Sequence, residues 1–182
     1  MAEHPPKPVH VLQGQFHVSG DPAAELITVL GSCVAACLHD PVRALGGMNH
    51  FLLPGHDPND GQCVTYGAHS MDRLINAMMR QGTERDRLEV RLFGGANVVP
   101  GLGRIGDANA AFACDYVRRE GLLLRSVDTG GRCGRRLHFH PVTGMARAER
   151  LDLALDPAMK LVNSAERASP GLLPPTGTVD LF

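Results

Sequence analysis

Cys33 and His50 are the residues of this chain whose types and spacing best suit chemistry. A thiol beside an imidazole can become a thiolate nucleophile, because the ring takes up the sulfur proton. The two residues lie at or within neighbouring apolar runs, 34–38 and 48–53, which are too short for stable helices. The segment therefore predicts a β-hairpin that brings a cysteine and a histidine together.

The turn between the two runs decides whether this pair can meet. Asp40-Pro41 is a strong turn signal, and a turn from Asp40 to Arg43 places Cys33 directly opposite His50. Directly opposed residues share one face of the sheet, with Cβ atoms about 5 Å apart, so the thiol and the imidazole would touch. A turn one residue longer would shift the register and separate them.

Two interpretations of Cys33 stay open on spacing alone. In the first, Cys33 is a nucleophile, because it follows Gly31-Ser32 at a strand edge and has a histidine predicted opposite. In the second, it is a small buried hydrophobic residue, which is the better account of Cys37 in the middle of the apolar run.

Composition limits the classes of function. The chain has 182 residues, a net charge of −1 and 4% aromatic residues, which gives no basic field or stacking platform, so no nucleic-acid partner is expected. No apolar run reaches membrane-spanning length, so we expect no membrane insertion and a cytoplasmic location. The five cysteines form no CxxC pair, which argues against a zinc knuckle and a disulfide framework. No cofactor and no metal are expected.

The pattern along the chain predicts one domain over 9–155, a flexible N-terminus over 1–8 and a disordered tail over 156–182. Apolar residues at i, i+3 and i+4 predict a helix over 68–81 with a buried Met-rich stripe. A second helix is predicted over 108–120 with Asp107 as its N-cap. Strands are predicted over 9–18, 26–30, 88–93 and 122–127, with a second hairpin from 137–140 and 145–148.

Other motifs are weaker. The GxGxxG match at 101–106 is interpreted as a connecting loop, because residues 94–100 intervene after the preceding strand and Pro100 removes an amide before the turn. Asp128-Thr129-Gly130 occurs once, whereas an aspartic protease needs two such carboxylates, so a strand-end turn followed by a solvated basic edge at Arg132, Arg135 and Arg136 is predicted. His138 and His140 share a strand face but have no third ligand at a characteristic spacing.

An ordered series of short segments runs through most of the chain: 28–34 (Thr-Val-Leu-Gly-Ser-Cys-Val), 46–54 (Gly-Gly-Met-Asn-His-Phe-Leu-Leu-Pro), Tyr66-Gly67, Met71, Leu74-Ile75, 93–96 (Phe-Gly-Gly-Ala), Ile105-Gly106, Asn109, 128–131 (Asp-Thr-Gly-Gly), Gly134-Arg135 and Thr143-Gly144. Through this series the chain resembles the CheD family of bacterial chemoreceptor glutamine deamidases.

The resemblance implies an α/β fold in which mixed, largely antiparallel sheets and two main helices form a layered sandwich. It also implies a catalytic set of Cys33, His50 and Thr28, which fill the matching motif positions. In this mechanism His50 helps to form the Cys33 thiolate, Thr28 orients the imidazole, and the backbone amides of Ser32 and Cys33 stabilise the oxyanion.

The function that the resemblance implies is hydrolysis of receptor glutamine side chains to glutamate through a cysteine thioester. The implied partners are the cytoplasmic helices of chemoreceptors and a CheC-type phosphatase, and we expect a monomer located at receptor arrays. A non-catalytic adaptor that binds receptors or the phosphatase is the alternative within the family. A thiol protease or a transglutaminase uses the same Cys–His logic and is the alternative outside it.

Overall fold

The computed structural model describes residues 6–54, 61–99, 104–151 and 176–179. In chain order the strands and helices are β1 (Lys7–His10), β2 (Gln15–Ser19), β3 (Ala24–Leu30), β4 (Val34–Asp40), β5 (Leu45–Phe51), α1 (Gly61–Arg80), β6 (Glu89–Gly94), α2 (Ile105–Arg119), β7 (Leu123–Thr129), β8 (Gly134–His140), β9 (Met145–Leu151) and β10 (Thr176–Val179). Within these ranges, no helix is both long and apolar enough to cross a membrane.

The strands form two mixed sheets. The small sheet has the order β1-β3-β8-β9, and the large sheet has the order β10-β2-β5-β4-β6-β7. Five of the described strand pairs are antiparallel, and three are parallel: β1 with β3, β10 with β2, and β6 with β7. The predicted fold class, mixed and largely antiparallel sheets with two main helices, is confirmed.

The hairpin β4–β5 lies in the middle layer, and every residue of its two strands is buried. On one face, Val34, Ala36, Leu38 and Phe51 join a core cluster with both helices. On the other face, Cys33, Ala35, Cys37 and Met48 pack with residues of β3 and β8 in a second cluster. Because side chains alternate along a strand, each strand of this hairpin supplies both cores.

Helix α1 begins earlier than predicted, at Gly61 instead of Ala68. Four residues of its predicted apolar stripe are core, since Met71, Leu74, Ile75 and Met78 are fully buried, but the fifth, Met79, is 41% exposed. The helix is tied to the sheet by the buried Asn49 of β5, whose Nδ2 donates to the carbonyl and the hydroxyl of Ser70 at 3.3 Å each. Asn49 also accepts from the Ala36 amide at 2.9 Å, so one side chain joins β4, β5 and α1.

The predicted N-cap of the second helix is wrong. Helix α2 begins at Ile105, with Arg104 in the cap position, and Asp107 lies in the first turn, where it pairs with Arg104. Of the GxGxxG match, positions 100–103 lie outside the described residues, and Gly106 lies inside α2. A Cβ at Gly106 would come within 2.4 Å of the Ala96 carbonyl oxygen, so this glycine permits close packing of helix against chain.

The single strand predicted over 9–18 is in fact two strands in different sheets. The chain leaves the small sheet after β1, passes through Val11 to Gly14 and enters the large sheet as β2. Gly14 has a φ of +82°, a conformation that favours glycine and ends the extended run. The segment Val11–Gly14, which we call the crossover loop, therefore connects the two sheets.

Two segments at the ends of the chain complete the description. Lys7 and Pro8, in the N-terminal segment expected to be flexible, belong to β1 and pair in parallel with β3. In the C-terminal segment expected to be disordered, Thr176–Val179 forms β10 and pairs in parallel with β2. The rest of both segments, 1–5 together with 156–175 and 180–182, lies outside the described residues, apart from Pro6, and so do residues 152–155 at the end of the predicted domain.

Candidate active site

The β4–β5 turn is longer than predicted. Asp40 pairs with Leu45, so the loop contains Pro41 to Ala44 instead of ending at Arg43. The Asp40 carboxylate accepts the amides of Val42 at 2.9 Å and Arg43 at 3.2 Å, and Ala44 adopts a φ of +50°. These side-chain hydrogen bonds and the left-handed residue accommodate two more residues than a tight turn does.

The predicted register is therefore wrong, because His50 lies opposite Ala35 and not opposite Cys33. The shift is by two residues, however, and side chains on a strand repeat with a period of two. Cys33 and Ala35 accordingly belong to the same cluster between the two sheets. Cys33 and His50 are thus diagonal neighbours on one face, a relation in which Cα atoms are typically about 7 Å apart.

Thr28 reaches the same space from the opposite sheet. It lies on β3, where buried and half-buried residues alternate, and it shares the buried face with Leu26 and Leu30. Its Oγ1 donates to the Val11 carbonyl at 2.7 Å and lies 2.8 Å from Nδ1 of His50. The predicted trio therefore comes from both sheets, with Cys33 and His50 on one and Thr28 on the other.

These contacts decide the tautomer of His50. The hydroxyl hydrogen of Thr28 is used on the Val11 carbonyl, so Oγ1 accepts from Nδ1. Nδ1 also lies 3.3 Å from the same carbonyl oxygen, which can only accept. Nδ1 therefore carries the hydrogen, and Nε2 has a free lone pair. Nε2 is buried and has no hydrogen-bond partner within the described part of the chain.

The buried position also determines the charge of the ring. Burial lowers the pKa of His50 to about 4, and the hydrogen bond to Val11 opposes this only in part. At neutral pH the imidazole is therefore uncharged and can take up a proton at Nε2. The resting site thus contains a general base and not a preformed imidazolium.

The Gly31–Cys33 segment is held through its carbonyl groups. The Gly31 carbonyl accepts from the Ala96 amide at 2.9 Å, and the Cys33 carbonyl accepts from the Gly95 amide at 2.7 Å. The Ser32 carbonyl accepts from Asn109 Nδ2 at 3.0 Å. Because the C=O and N–H of a trans peptide point in opposite directions, the amides of Ser32 and Cys33 are turned away from these partners.

Close approach of the chain to Cys33 requires a glycine at position 94. Gly94 has a φ of +104°, and a Cβ there would lie 2.2 Å from the Cys33 carbonyl oxygen. Any other residue would push the end of β6 away and break the hydrogen bond between Gly95 and Cys33. The Phe-Gly-Gly-Ala segment therefore has a structural role in fixing the backbone of Cys33.

Sequence reasoning missed the contribution of the crossover loop. The Val11 carbonyl accepts from Thr28 and His50, and the Gly14 amide donates to the His50 carbonyl at 2.7 Å. The Cys33 thiol donates to Oε1 of Gln13 at 3.4 Å. No motif or periodicity marks Gln13, because the loop was predicted to be part of one continuous strand.

Two residues of the helices complete the surroundings. Asn109 of α2 binds the Ser32 carbonyl through Nδ2 and accepts the Leu53 amide through Oδ1 at 2.8 Å, which links the cysteine segment to the end of β5. Burial raises the pKa of Tyr66, and a negative charge on Cys33 raises it further. The Tyr66 hydroxyl lies beside the crossover loop, 3.9 Å from the position of a Cβ at Gly14. Asn109 and Tyr66 stood out in the sequence only through the family resemblance.

The remaining candidates have structural explanations. His138 pairs with Glu25 at 3.1 Å, and His140 lies 3.0 Å from the Pro22 carbonyl. The residues that the structure describes contain no group of three side chains able to hold a metal. Cys37 is fully buried, as predicted, and burial raises the pKa of its thiol.

The basic edge after Asp128 is only partly as predicted. Arg135 was expected to be solvated, but its side chain is 5% exposed and donates to the Asp128 carboxylate at 2.8 Å. The prediction for Arg135 is therefore wrong, because burial of the guanidinium is offset by this ion pair and by the Gly130 carbonyl at 3.1 Å. Arg132, in contrast, is exposed.

Comparisons with known proteins agree on one family. Residues 52–150 match the family model described as CheD chemotactic sensory transduction. The chain is 56% identical over 140 residues to the "Probable chemoreceptor glutamine deamidase CheD" of Jannaschia sp. (strain CCS1), covering 77% of this chain and 80% of that protein. The protein of the same name from Agrobacterium fabrum is 44% identical over 183 residues, covering 100% of both chains.

One solved structure shows weaker similarity. The hypothetical protein YfiH of Bacillus licheniformis is 16% identical, with a TM-score of 0.38, over 62% of this chain and 49% of that chain.

Proposed function

The chain belongs to the CheD family, and from this premise we propose that it deamidates glutamine side chains of bacterial chemoreceptors, releasing ammonia and leaving glutamate. The relatives named above carry this activity in their names. The observation that carries the proposal is the state of His50. Thr28 holds Nδ1, and the free, buried Nε2 lies on the sheet face that also carries Cys33.

The proposed reaction begins with proton transfer from Cys33 Sγ to Nε2 of His50. The sulfur attacks the carboxamide carbon of the receptor glutamine, and the electron pair of the C=O bond moves to oxygen. The amides of Ser32 and Cys33 stabilise this oxyanion, a role supported by the way their peptide planes are oriented. His50 then returns the proton to the departing ammonia, which leaves a thioester on Cys33.

Water completes the cycle. The neutral His50 takes a proton from water, the hydroxide adds to the thioester carbon, and the C–S bond breaks with its electron pair on sulfur. His50 returns its proton to the Cys33 sulfur, and the new carboxylic acid loses its proton to solvent as glutamate. Thr28 acts by holding the ring, because its hydrogen bond to Nδ1 keeps Nε2 directed away from the small sheet throughout. The substrate gains one negative charge, which can shift the signalling equilibrium of a receptor.

The finer aspects of this function are also part of the proposal. The substrates are glutamines on the cytoplasmic helices of receptors, the protein acts as a monomer at receptor arrays, and a CheC-type phosphatase is a second partner. Sedimentation of the purified chain alone tests whether it is a monomer. Sedimentation with the isolated receptor fragment or with the phosphatase tests whether each of them binds.

The deciding experiment is incubation of a receptor cytoplasmic fragment with the purified protein, followed by ammonia assay and mass mapping. We expect Gln-to-Glu conversion with the wild type and none with Cys33→Ser. Cys37→Ser is the matched control: it buries a hydroxyl at a cost of about 1–3 kcal/mol but leaves turnover in the folded fraction. Peptide cleavage or amine incorporation instead of ammonia release would identify a protease or a transglutaminase, and normal conversion by Cys33→Ser would exclude the proposed nucleophile.

A further inference from the structure

The crossover loop contacts every member of the catalytic trio. Val11 binds Thr28 and His50 through its carbonyl, Gly14 binds the His50 main chain, and Gln13 contacts the Cys33 sulfur. The contacts of Val11 and Gly14 are made by backbone atoms and do not use the chemistry of a side chain. Gln13 is different, because it places a side-chain carboxamide directly against the reacting atom.

The position of Gln13 is set by its neighbours. The Gly14 amide is hydrogen-bonded to the His50 carbonyl, and the Val11 carbonyl is hydrogen-bonded to Thr28, so both ends of the loop are fixed. Gln13 lies between them and is half-buried, whereas Cys33 is only 1% exposed. Of the two residues in this contact, Gln13 is therefore the one more open to an approaching substrate.

We propose that Gln13 is a further catalytic residue, whose carboxamide N–H stabilises the Cys33 thiolate and then the oxyanion of the substrate. This inference rests on the proposed deamidation and deepens it by assigning a side-chain donor to the same site. A side-chain amide is one of the groups that supplies such a donor in acyl-transfer enzymes.

The amide can serve both protonation states of the sulfur. In the resting site the S–H donates to Oε1 at 3.4 Å, so the oxygen is the nearer atom. Once His50 has taken the proton, the sulfur is an acceptor, and a half-turn about the broad terminal torsion of glutamine presents Nε2–H in place of oxygen. No other movement of the loop is needed.

The same N–H is then within reach of the developing charge. When sulfur bonds to the carboxamide carbon, the C=O electron pair moves to oxygen, which ends one bond length from the carbon attached to Sγ. A donor in contact with Sγ therefore lies next to the new oxyanion. Together with the backbone amides of Ser32 and Cys33, Gln13 gives the oxyanion donors from two separate segments.

Gln15 provides a matched control on the same stretch of chain. Its Oε1 accepts the Leu12 amide at 3.1 Å, so its carboxamide supports the local backbone and is not directed at the sulfur. Replacing Gln15 by alanine therefore removes the same chemical group at a distance of two residues. A loss shared by both variants would reflect the loop, whereas a loss confined to Gln13 reflects the site.

The experiment compares wild type, Gln13→Ala, Gln13→Glu and Gln15→Ala on a receptor fragment, with thermal melting to confirm that each is folded. We expect Gln13→Ala to lower kcat about 100- to 1,000-fold with little change in KM, as for loss of one oxyanion donor. Gln13→Glu should be at least as slow, because it replaces a donor by an anion of the same shape. Gln15→Ala should stay within about twofold of wild type.

A second readout does not depend on the receptor substrate. Alkylation of Cys33 by iodoacetamide, followed against pH by peptide mapping, should show a higher midpoint pH in Gln13→Glu, since a carboxylate beside the sulfur disfavours the thiolate.

Near-wild-type kcat in Gln13→Ala, or an unmoved midpoint in Gln13→Glu, would overturn the inference. So would Cys33-dependent conversion of Gln13 itself to glutamate, because Gln13 would then be a substrate. If wild type released no ammonia, the proposed function would fail, and alkylation would still test Gln13.

Discussion

Each sheet contains one hairpin whose loop begins with Pro-Val. Pro41 to Ala44 joins β4 to β5 in the large sheet, and Pro141 to Gly144 joins β8 to β9 in the small sheet. In both, the fourth loop residue has positive φ, +50° at Ala44 and +70° at Gly144. The second loop also contacts the first hairpin, since Nε2 of His39 in β4 lies 3.1 Å from the Val142 carbonyl.

The surroundings of the two hairpins differ. β4 and β5 are covered on both faces, by the helices and by the small sheet, whereas β9 has three exposed residues, three half-buried residues and one buried residue. His50 is therefore buried and neutral, and its Nε2 has no hydrogen-bond partner among the described residues, while His138 is half-buried and pairs with Glu25. Both hairpins have a similar loop, so the loop does not explain why only the first carries the candidate site. The difference is that β4 and β5 lie between the helices and the small sheet, which bury His50.

The largest expected effect separates the two histidines. His50→Ala removes the proposed general base, and general acid–base catalysis typically contributes about 10²- to 10⁴-fold, so deamidation should fall by that factor. His138→Ala removes only the contact to Glu25 and should keep activity within about twofold. Ammonia release from a receptor fragment measures both. Equal losses in the two variants would remove the distinction between the hairpins.

The next effect tests how tightly the loop from Pro141 to Gly144 packs against the β4–β5 hairpin. Gly144→Ala forces alanine to the left-handed region and puts its Cβ 2.4 Å from Nδ1 of the buried His39 ring. Left-handed strain costs about 1–2 kcal/mol and overpacking about 1–3 kcal/mol, so the free energy of unfolding should fall by about 2–5 kcal/mol. Urea denaturation measures this. The folded variant should remain active, because the loops lie at the end of β4 away from Cys33; a loss of activity without a loss of stability would contradict this view.

A smaller effect concerns pH. The ordinary pKa of histidine in an unfolded chain is about 6.5, and burial lowers the pKa of His50 to about 4 in the folded protein. Below pH 6.5 the unfolded chain therefore binds more protons than the folded one, and stability is lost as pH falls. Between pH 7 and pH 5 the contribution of His50 is a loss of about 2 kcal/mol.

The measurement for this prediction is urea denaturation of the wild type and of His50→Gln at both pH values. The variant cannot take up the proton and should lose less stability on acidification, by about the amount stated. His138→Gln, in the β8–β9 hairpin, is the control and should lose as much stability as the wild type. If wild type and His50→Gln lose the same stability between pH 7 and pH 5, His50 is not held neutral by burial.

Much of the fold could be predicted from local pattern. The period of 3.6 in α1 and the apolar runs of β3, β4 and β6 are local signals, and the structure has these elements close to the predicted positions. The break at Gly14 could not be predicted, because nothing local shows that β1 and β2 join different sheets. The contact of Gln13 with Cys33 depends on that crossover, which is why this part of the site was missed.

The register error has a different cause. Glycine favours the positive φ that the last loop residue adopts, so Gly144 marks the end of its loop, and the β8–β9 hairpin was predicted with the correct loop. Ala44 occupies the equivalent position with φ of +50° but gives no such signal, so the first loop was predicted two residues too short. The shared face of Cys33 and His50 survived this error only because the shift was even.

The smallest effect follows from that same alanine and has the opposite sign to Gly144→Ala. Ala44 is exposed and adopts a left-handed conformation that is unfavourable for alanine by about 1–2 kcal/mol. Ala44→Gly relieves this strain but adds about 0.4–1 kcal/mol of conformational entropy to the unfolded chain. The net expectation is a gain in stability of about 0.5–1 kcal/mol, visible as a higher urea midpoint with an unchanged slope.

Because Asp40 still holds the Val42 and Arg43 amides, the register and therefore the deamidation rate should not change. A destabilised Ala44→Gly protein would show that the first loop is not strained at Ala44, and that the two Pro-Val loops differ in backbone as well as in sequence.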